Sequence, residues 1–186
     1  ENIQRAVAQD CDEKIIHQLT DCYFDIRAGI GFNKTPADYG AFPTDPYSHS
    51  PGFAGAKQPG MTGQVKEEII TRLIELGVSV SSGCINFNPF ILRQSEFLSQ
   101  DNRLDYFNVQ GEPRHENLNA GQLGFTYCQV PIIYHVADTT MITITFAEGH
   151  TTKIDGDTID AETSQSIFDK TGKVTKINVG LKPPLN

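Results

Sequence analysis

Residues 61–87 read MTGQVKEEIITRLIELGVSVSSGCINF, and along this stretch the spacing of the apolar residues changes once. Up to Leu76 they recur every three or four positions, as on one face of a helix. Thr62 is a good N-cap, and Gly77 suits the position just past a helix end. Beyond Gly77, apolar and polar residues alternate around a turn at 81–83, as in a β-hairpin. The stretch therefore predicts a helix that runs directly into strands. The apolar face of this helix consists of Val65, Ile69, Ile70, Leu73, Ile74 and Leu76.

A second amphipathic helix is predicted upstream, near the start of the chain. Asp10 and Glu13 have the spacing of a capping box, and Gly29 and Gly31 suit the end of the helix. Such a helix would be buried on one side against another element. The apolar residues on that side are Ile15, Ile16, Leu19, Cys22, Tyr23 and Ile26.

The segment between the two predicted helices, residues 32–61, shows no helical spacing, and its prolines would interrupt any helix. It nevertheless contains several aromatic residues, which disordered segments usually lack. Ordered loops of this length are commonly functional. We therefore expect a folded loop that contacts a ligand, with a loop packed by its own aromatic side chains as the alternative.

The polar and aromatic residues of this loop are those that a sugar site uses. Aromatic rings stack on the apolar faces of sugar rings, while carboxylates and imidazoles bond to hydroxyl groups. The candidate sugar-binding residues in the loop are Asp38, Tyr39, Asp45, Tyr47 and His49. The spacing of Asp45 and His49 is also compatible with two metal ligands, but two such residues are a weak signal, and we predict no metal site.

Downstream, the sequence predicts a series of short strands separated by turn signals, which is typical of an antiparallel sandwich. The polar residues 100–122, which include His115, are expected to form a surface connection. The fold class predicted is α+β, with two N-terminal amphipathic helices joined by a long ordered loop and followed by a mainly antiparallel β-sandwich. The predicted domains are 1–77 and 78–186. The strands expected after residue 100 are 125–134, 141–146, 151–154, a short piece around Ile159, 166–168 and 174–179.

Composition and charge argue against two classes of partner. The net charge is −8 and the basic residues are scattered, so we expect no nucleic-acid binding. No apolar stretch approaches the length that spans a bilayer, so we expect no membrane partner. The cysteines form no C-x-x-C motif and have no histidine at zinc-finger spacing. We expect no cofactor, and we expect Cys11, Cys22, Cys84 and Cys128 to be reduced and mostly buried.

The run from Met61-Thr62-Gly63 to Leu76-Gly77-Val78, followed by the 85–89 segment INFNP, resembles a known junction. It is similar to the C-terminal segment of (α/α)6-barrel carbohydrate-active proteins, such as cellobiose phosphorylases and related glycoside hydrolases. In those families the last barrel helices run into a C-terminal β-sandwich. The resemblance implies that Thr62 and Gly63 face a sugar or phosphate, although N-capping by itself also explains Thr62. The chain departs from the phosphorylase pattern at residues 64–67 and contains no tryptophan.

The resemblance implies a function that the chain would perform only as part of a larger protein. It predicts the C-terminal portion of a glycoside hydrolase-like protein, with the 35–63 loop facing a glycan site and the β-sandwich supporting it. The expected partners are an oligosaccharide or other glycan and an upstream helical domain of the same protein. No catalytic constellation is complete in this sequence, so we expect the chain alone to be inactive. The alternative is a non-catalytic β-sandwich module with a glycan-binding or structural role.

Overall fold

The computed structural model describes residues 2–9, 11–29 and 69–182. The chain forms two compact units, residues 1–72 and residues 73–186. The described part of unit 1 contains helices α1 (Asn2–Ala8) and α2 (Glu13–Gly29), which contact each other. Residues 69–75 form a helix, α3, whose last turn belongs to unit 2. The mixed α+β class predicted from the sequence is confirmed.

Helix α2 forms where the sequence predicts it, but its buried face differs from the predicted one. Ile15 is 49% exposed, and Cys22 is exposed as well. The prediction was wrong because it placed every apolar residue inside, whereas the packed positions include polar ones. The Thr20 hydroxyl enters the buried face because it donates a hydrogen bond of 2.9 Å to the Ile16 carbonyl. Among the α2 side chains that the structure describes, the buried ones are Ile16, Thr20, Phe24 and Arg27.

Helix α2 begins after Asp12, whose carboxylate accepts the Lys14 N–H at 2.8 Å. This bond supplies a partner to one of the unpaired N–H groups at a helix start. Asp10, the predicted capping residue, lies outside the described residues.

Unit 2 contains all of the described strands, and these form three sheets. Hairpins β1–β2 and β3–β4 are separate two-stranded sheets, and the remaining strands form a five-stranded sheet of order β5-β6-β9-β7-β8. Helix α4 (Ala161–Phe168) lies between β8 and β9 in sequence, and a short 3-10 helix covers Gln94–Glu96. The strands are β1 Val78–Ser81, β2 Cys84–Phe87, β3 Asn102–Phe107, β4 Pro113–Leu118, β5 Gln122–Tyr127, β6 Val130–Val136, β7 Met141–Phe146, β8 Thr151–Asp155 and β9 Val174–Leu181.

The five-stranded sheet is mostly antiparallel, as predicted, with one parallel pair. Strand β9 lies between β6 and β7, parallel to β6 and antiparallel to β7. Ile177 in β9 is opposite Ile132 on one side and Ile144 on the other, so the centre of the sheet is apolar. Because β8 and β9 are both antiparallel to β7, they run in the same direction and α4 connects them, as in a split β-α-β unit.

One face of this sheet forms the core together with α4, hairpin β1–β2 and the segment after it. The chain leaves β8 at Gly156 and returns to β2, where the backbone carbonyl of Asp157 accepts the Phe87 N–H at 2.8 Å and the Ile159 N–H donates to the Ile85 carbonyl at 2.9 Å. The buried Ser164 hydroxyl accepts the Ile85 N–H at 3.0 Å and joins α4 to the hairpin. The fully buried apolar residues of this layer include Ile85, Phe87, Leu92, Ile132, Tyr134, Ile142, Ile144, Ile159, Ile167, Ile177 and Val179.

Hairpin β3–β4 packs on the opposite face of the sheet. A Cβ at Gly124 in β5 would lie 2.7 Å from a methyl carbon of Leu118 and 3.2 Å from one of Leu104, so the hairpin approaches the sheet where β5 has no side chain. Lys176 of β9 forms an ion pair of 3.0 Å with Glu116 of β4. These contacts fix the hairpin against β5 and β9.

Four features of the predicted strand pattern are wrong. Residues 100–122 are not a connection, since they contain β3 and β4. The predicted strand 125–134 is two strands, because Cys128 and Gln129 form a tight turn with positive φ although neither is glycine. Residues 166–168 end helix α4. Ile159 is fully buried but lies outside the named strands, next to a single bridge between Asn86 and Thr158.

Candidate functional site

The sugar-binding residues predicted from the sequence all fall between residues 30 and 68, which lie outside the described residues. Their role therefore stays a prediction. These residues are Asp38, Tyr39, Asp45, Tyr47, His49, Thr62 and Gly63. Within the described part of the chain, two features of unit 2 are candidates for a functional role: the polar outer face of hairpin β3–β4, and the anchored end of helix α3.

Successive side chains of a β-strand point to opposite sides, so hairpin β3–β4 has an inner face and an outer face. Leu104 and Leu118 point toward the five-stranded sheet and are half-buried or buried. The alternate residues are exposed, and the register places Asp105 opposite His115 and Arg103 opposite Asn117. We call this row the hairpin face. The hairpin face consists of Arg103, Asp105, Phe107, Pro113, His115 and Asn117.

The guanidinium group in the hairpin face is held by two parallel contacts. Arg103 Nε lies 2.9 Å from Asp105 Oδ1, and Arg103 Nη2 donates to Asp105 Oδ2 at 3.0 Å. A two-point pair of this kind fixes the plane of the guanidinium and leaves N–H directions for a ligand oxygen. Both side chains are more than half exposed, so the pair itself adds little to the free energy of unfolding. The guanidinium N–H groups that do not contact Asp105 remain available to a ligand oxygen.

An open groove of about 500 Å³ lies at the base of the hairpin, beside Arg103 and Asn117. Two of its polar side chains accept backbone N–H groups: Asp101 accepts the Ala120 N–H at 2.9 Å, and Asn102 accepts the Arg103 N–H at 2.8 Å. The groove is thus lined by one carboxylate and one amide that are held by the backbone. Its lining residues are Asp101, Asn102, Arg103, Asn117, Leu118 and Asn119.

The other end of the hairpin face carries an exposed aromatic ring. Phe107 is 63% exposed and is opposite Pro113. The turn between them is fixed by Asn108, whose side-chain oxygen accepts the N–H groups of Gln110 at 3.1 Å and Glu112 at 2.9 Å. A ring presented on a rigid turn, next to oriented polar groups, is suited to stacking on a ligand with an apolar face and hydroxyl groups.

The inner side of the hairpin supports this arrangement. Burial raises the pKa of the Tyr106 hydroxyl, and the neighbouring Glu116 carboxylate raises it further, while Arg114 opposes the shift. Glu116 also pairs with Lys176, so it anchors the hairpin to the sheet. Tyr106 is therefore a neutral hydrogen-bonding group at physiological pH.

The second feature is the C-terminal end of α3, which is built into unit 2. The Tyr134 hydroxyl donates to the Leu76 carbonyl at 2.7 Å, and Gly77, with φ of +71°, donates its N–H to Ile74 at 2.9 Å. Asn88 donates its N–H to the Gly77 carbonyl at 2.8 Å. A side chain at Gly77 would overlap the backbone of Asn88 and Pro89. The sequence correctly predicted the helix end at Gly77.

The four cysteines are free thiols in the structure. The prediction that they are mostly buried was wrong, since Cys22 is exposed and Cys11, Cys84 and Cys128 are half-buried. Burial raises the pKa of the Cys128 thiol despite the opposing charge of Lys170, which keeps it protonated at neutral pH. In the described ranges, no group of three or more His, Cys, Asp or Glu side chains is placed to hold a metal ion. No helix there is long and apolar enough to cross a bilayer.

The residues of the hairpin face were missed by sequence reasoning because 100–122 was interpreted as a polar connection. His115, predicted in a surface loop, lies in strand β4 and is exposed. A usable signal was present: Leu104 and Tyr106 alternate with charged residues, and Asn108 to Gly111 is a turn sequence.

Neither the comparison with models of protein families nor the comparison with curated proteins finds a match for this chain.

Proposed function

We propose that this chain is the C-terminal portion of a carbohydrate-active, glycoside hydrolase-like protein. In this proposal, unit 2 supports the helix that follows the 35–63 segment, and that segment faces a glycan. Its partners are an oligosaccharide and an upstream helical domain of the same protein. The chain contributes binding and support, and the catalytic acid belongs to the upstream domain.

The observation that carries this proposal is the fixed end of α3. The helix end is held by a buried hydrogen bond from Tyr134 to Leu76 and by close backbone contact between Gly77 and Pro89. A connection that only linked two domains would need neither, because linkers are usually exposed and make few contacts. The end of α3 is therefore part of the packed structure of unit 2. This is what a supporting domain requires.

The proposal also covers how the sheets of unit 2 pack together. We infer a β-sandwich in which hairpin β3–β4 is one layer and the five-stranded sheet is the other. The approach of Leu104 and Leu118 to Gly124 and the Lys176–Glu116 ion pair support it.

The test uses the intact protein that contains this chain, titrated with oligosaccharides by calorimetry and assayed for their hydrolysis. Asp45→Ala and Tyr47→Ala are expected to weaken binding about tenfold or more, because each removes a direct sugar contact. Asp169→Ala, an exposed carboxylate in unit 2, is the matched control and leaves binding unchanged. Unchanged affinity and turnover in both loop variants would remove the loop from the mechanism.

The hairpin face favours a second candidate, a non-catalytic glycan-binding module. The observation behind it is the exposed ring of Phe107 on the same face as the oriented Arg103–Asp105 pair. Phe107→Ala is then expected to weaken oligosaccharide binding by the 186-residue chain about tenfold. Val80→Ala, also an exposed apolar residue in a hairpin, is the control. If the chain binds no oligosaccharide, or if both variants bind equally, this candidate is excluded.

A further inference from the structure

The free edge of β8 carries a pattern that matches a second copy of itself. On one side β8 pairs with β7, and no other strand of the described residues pairs with it on the other side. Its residues are exposed, apart from the half-buried Ile154. An unpaired strand edge presents N–H and C=O groups to which another strand can bond.

Two backbone hydrogen bonds establish which groups of β8 point outward. At one end of the β7–β8 ladder the Gly156 N–H donates to the Thr140 carbonyl at 3.0 Å. At the other end the Phe146 N–H donates to the His150 carbonyl, also at 3.0 Å. In an antiparallel pair, every second residue bonds to the same neighbour. The bonded pairs between these two ends are therefore also at even-numbered positions of β8.

Thr152 and Ile154 consequently direct their backbone groups to β7. Thr151, Lys153 and Asp155 direct theirs away from the sheet, to the free edge. The side chains of Lys153 and Asp155 lie on the same face of the sheet, because they are two residues apart. The free edge thus has one positive and one negative side chain next to outward N–H and C=O groups.

A second β8 strand can approach this edge antiparallel, with a two-fold axis through one residue. An axis through Lys153 would place that lysine opposite its own copy, which is unfavourable. An axis through Ile154 places each Lys153 opposite the Asp155 of the other copy and the two Ile154 residues side by side. In this register the outward groups of Lys153 and Asp155 meet as hydrogen-bonded pairs, and Ile154 forms a non-hydrogen-bonded pair. Charge and backbone geometry therefore favour the same register.

We propose that two copies of this chain associate through their β8 edges, centred on Ile154, so that their five-stranded sheets become continuous. The interface is isologous, since each Lys153 pairs with the Asp155 of its partner. A lone lysine on an edge strand usually prevents such pairing. Here Asp155 supplies the opposite charge in the antiparallel register. The interface is small, so the dimer is weak and concentration-dependent.

The experiment is sedimentation of the full chain over a concentration series up to about 0.5 mM, since small interfaces dissociate at low concentration. The salt concentration is about 0.15 M, to screen distant charges. The weight-average mass is expected to rise from 20.5 kDa toward twice that value. Lys153→Asp and Asp155→Lys each place like charges opposite each other and are expected to weaken dimerisation at least tenfold. Lys182→Asp changes an exposed lysine outside the interface and serves as the control.

Two further samples make the test specific for the register. The double variant Lys153→Asp/Asp155→Lys restores both ion pairs and is expected to dimerise like the unaltered chain. An equimolar mixture of the two single variants also pairs opposite charges and is expected to form a heterodimer, although neither variant dimerises alone. A chain that stays at 20.5 kDa at the highest concentration overturns the proposal. Single variants that dimerise as well as the unaltered chain, or a double variant and mixture that stay monomeric, overturn it too.

Discussion

The hydroxyl group of Tyr134 donates a hydrogen bond of 2.7 Å to the carbonyl of Leu76, 58 positions earlier in the chain. Tyr134 lies in β6, close to the middle of the sheet, and its side chain is fully buried. Burial raises the pKa of this phenol, so it stays neutral and acts as a donor. Edge-to-face contacts with Phe87 and Phe125 hold the ring in place. The bond therefore joins the end of α3 to the core of unit 2.

Removal of this hydroxyl is expected to destabilise unit 2. Tyr134→Phe keeps the ring but leaves the buried Leu76 carbonyl without this donor, which lowers the free energy of unfolding by about 1–2 kcal/mol. Denaturation with urea, followed by fluorescence or circular dichroism, measures the change. Tyr127→Phe removes a half-buried hydroxyl elsewhere in the sheet and is the control. Equal losses in both variants would contradict a specific role for the Tyr134 bond.

Two glycines with nearly the same φ provide a matched test of the close contact after α3. A Cβ added at Gly77 (φ +71°) would overlap the backbone of Asn88 and Pro89. A Cβ added at Gly83 (φ +79°) would have no atom within 4 Å. Gly83→Ala is expected to cost only about 1 kcal/mol, from the left-handed conformation. Gly77→Ala adds an overlap with backbone and is expected to cost roughly 3 kcal/mol or more. Similar unfolding free energies for the two variants would show that the contact is unimportant.

The buried Ser164 hydroxyl links α4 to hairpin β1–β2. It accepts the Ile85 N–H at 3.0 Å and lies 3.2 Å from the Ile159 carbonyl, to which it donates. Ser164→Ala leaves the Ile85 N–H unpaired in the core, so the free energy of unfolding should fall by about 2 kcal/mol. Ser166→Ala, whose hydroxyl contacts Thr171 at the surface, should change it by less than about 0.5 kcal/mol. Hydrogen exchange at the Ile85 amide would show the same difference.

Helix α4 should give a pH-dependent contribution to stability through its N-cap. The Asp160 carboxylate accepts the Thr163 N–H at 2.8 Å, and this bond lowers its pKa below the ordinary value of 3.8. The Asp160 carboxylate therefore binds a proton more readily in the unfolded chain than in the folded one. The stabilisation is complete above the ordinary pKa and is lost as the pH falls through the lowered one.

The measurement for Asp160 compares the original chain with Asp160→Asn and Asp160→Ala between about pH 2 and pH 7. At neutral pH, Asp160→Ala should lower the free energy of unfolding by about 1 kcal/mol, whereas Asp160→Asn keeps an acceptor and should lower it by less. The difference in the free energy of unfolding between the original chain and Asp160→Asn should shrink as the solution is acidified. A difference that is constant or grows toward acid pH would contradict the lowered pKa.

Elements with a local signal were predicted well from the sequence. Hairpin β1–β2 was placed correctly because Ser82 and Gly83 take positive φ between alternating residues. Helix α2 and strands β7, β8 and β9 have clear periodicity and were also found. The β5–β6 turn was missed because Cys128 and Gln129 are not turn residues, although tertiary contacts such as Gln129 to the Asn108 carbonyl stabilise them there. Propensity alone could not indicate this.

Helix α4 and hairpin β3–β4 were missed for a different reason. Ile167 and Phe168 were interpreted as a strand because a short apolar pair has no distinctive period, whereas the helix depends on the Asp160 cap. The hairpin is polar on its outer side, and only its few inward residues contact the sheet. The alternation around Leu104 and Tyr106 could have indicated the strands, but the pairing of Asp105 with His115 depends on the register of the hairpin. The loop residues that the sequence favoured stay a prediction.

The position of β9 has a consequence for how the chain acquires its structure. Hairpins β5–β6 and β7–β8 each form from neighbouring residues, but the strand between them, Val174–Leu181, is the last of the described strands in sequence. During synthesis the two hairpins emerge first, with β6 and β7 unpaired along their inner edges. Those edges include Ile132 and Ile144, so they are prone to aggregation until β9 inserts between them. We therefore expect nascent chains that lack β9 to be trapped as aggregates and to depend on chaperones.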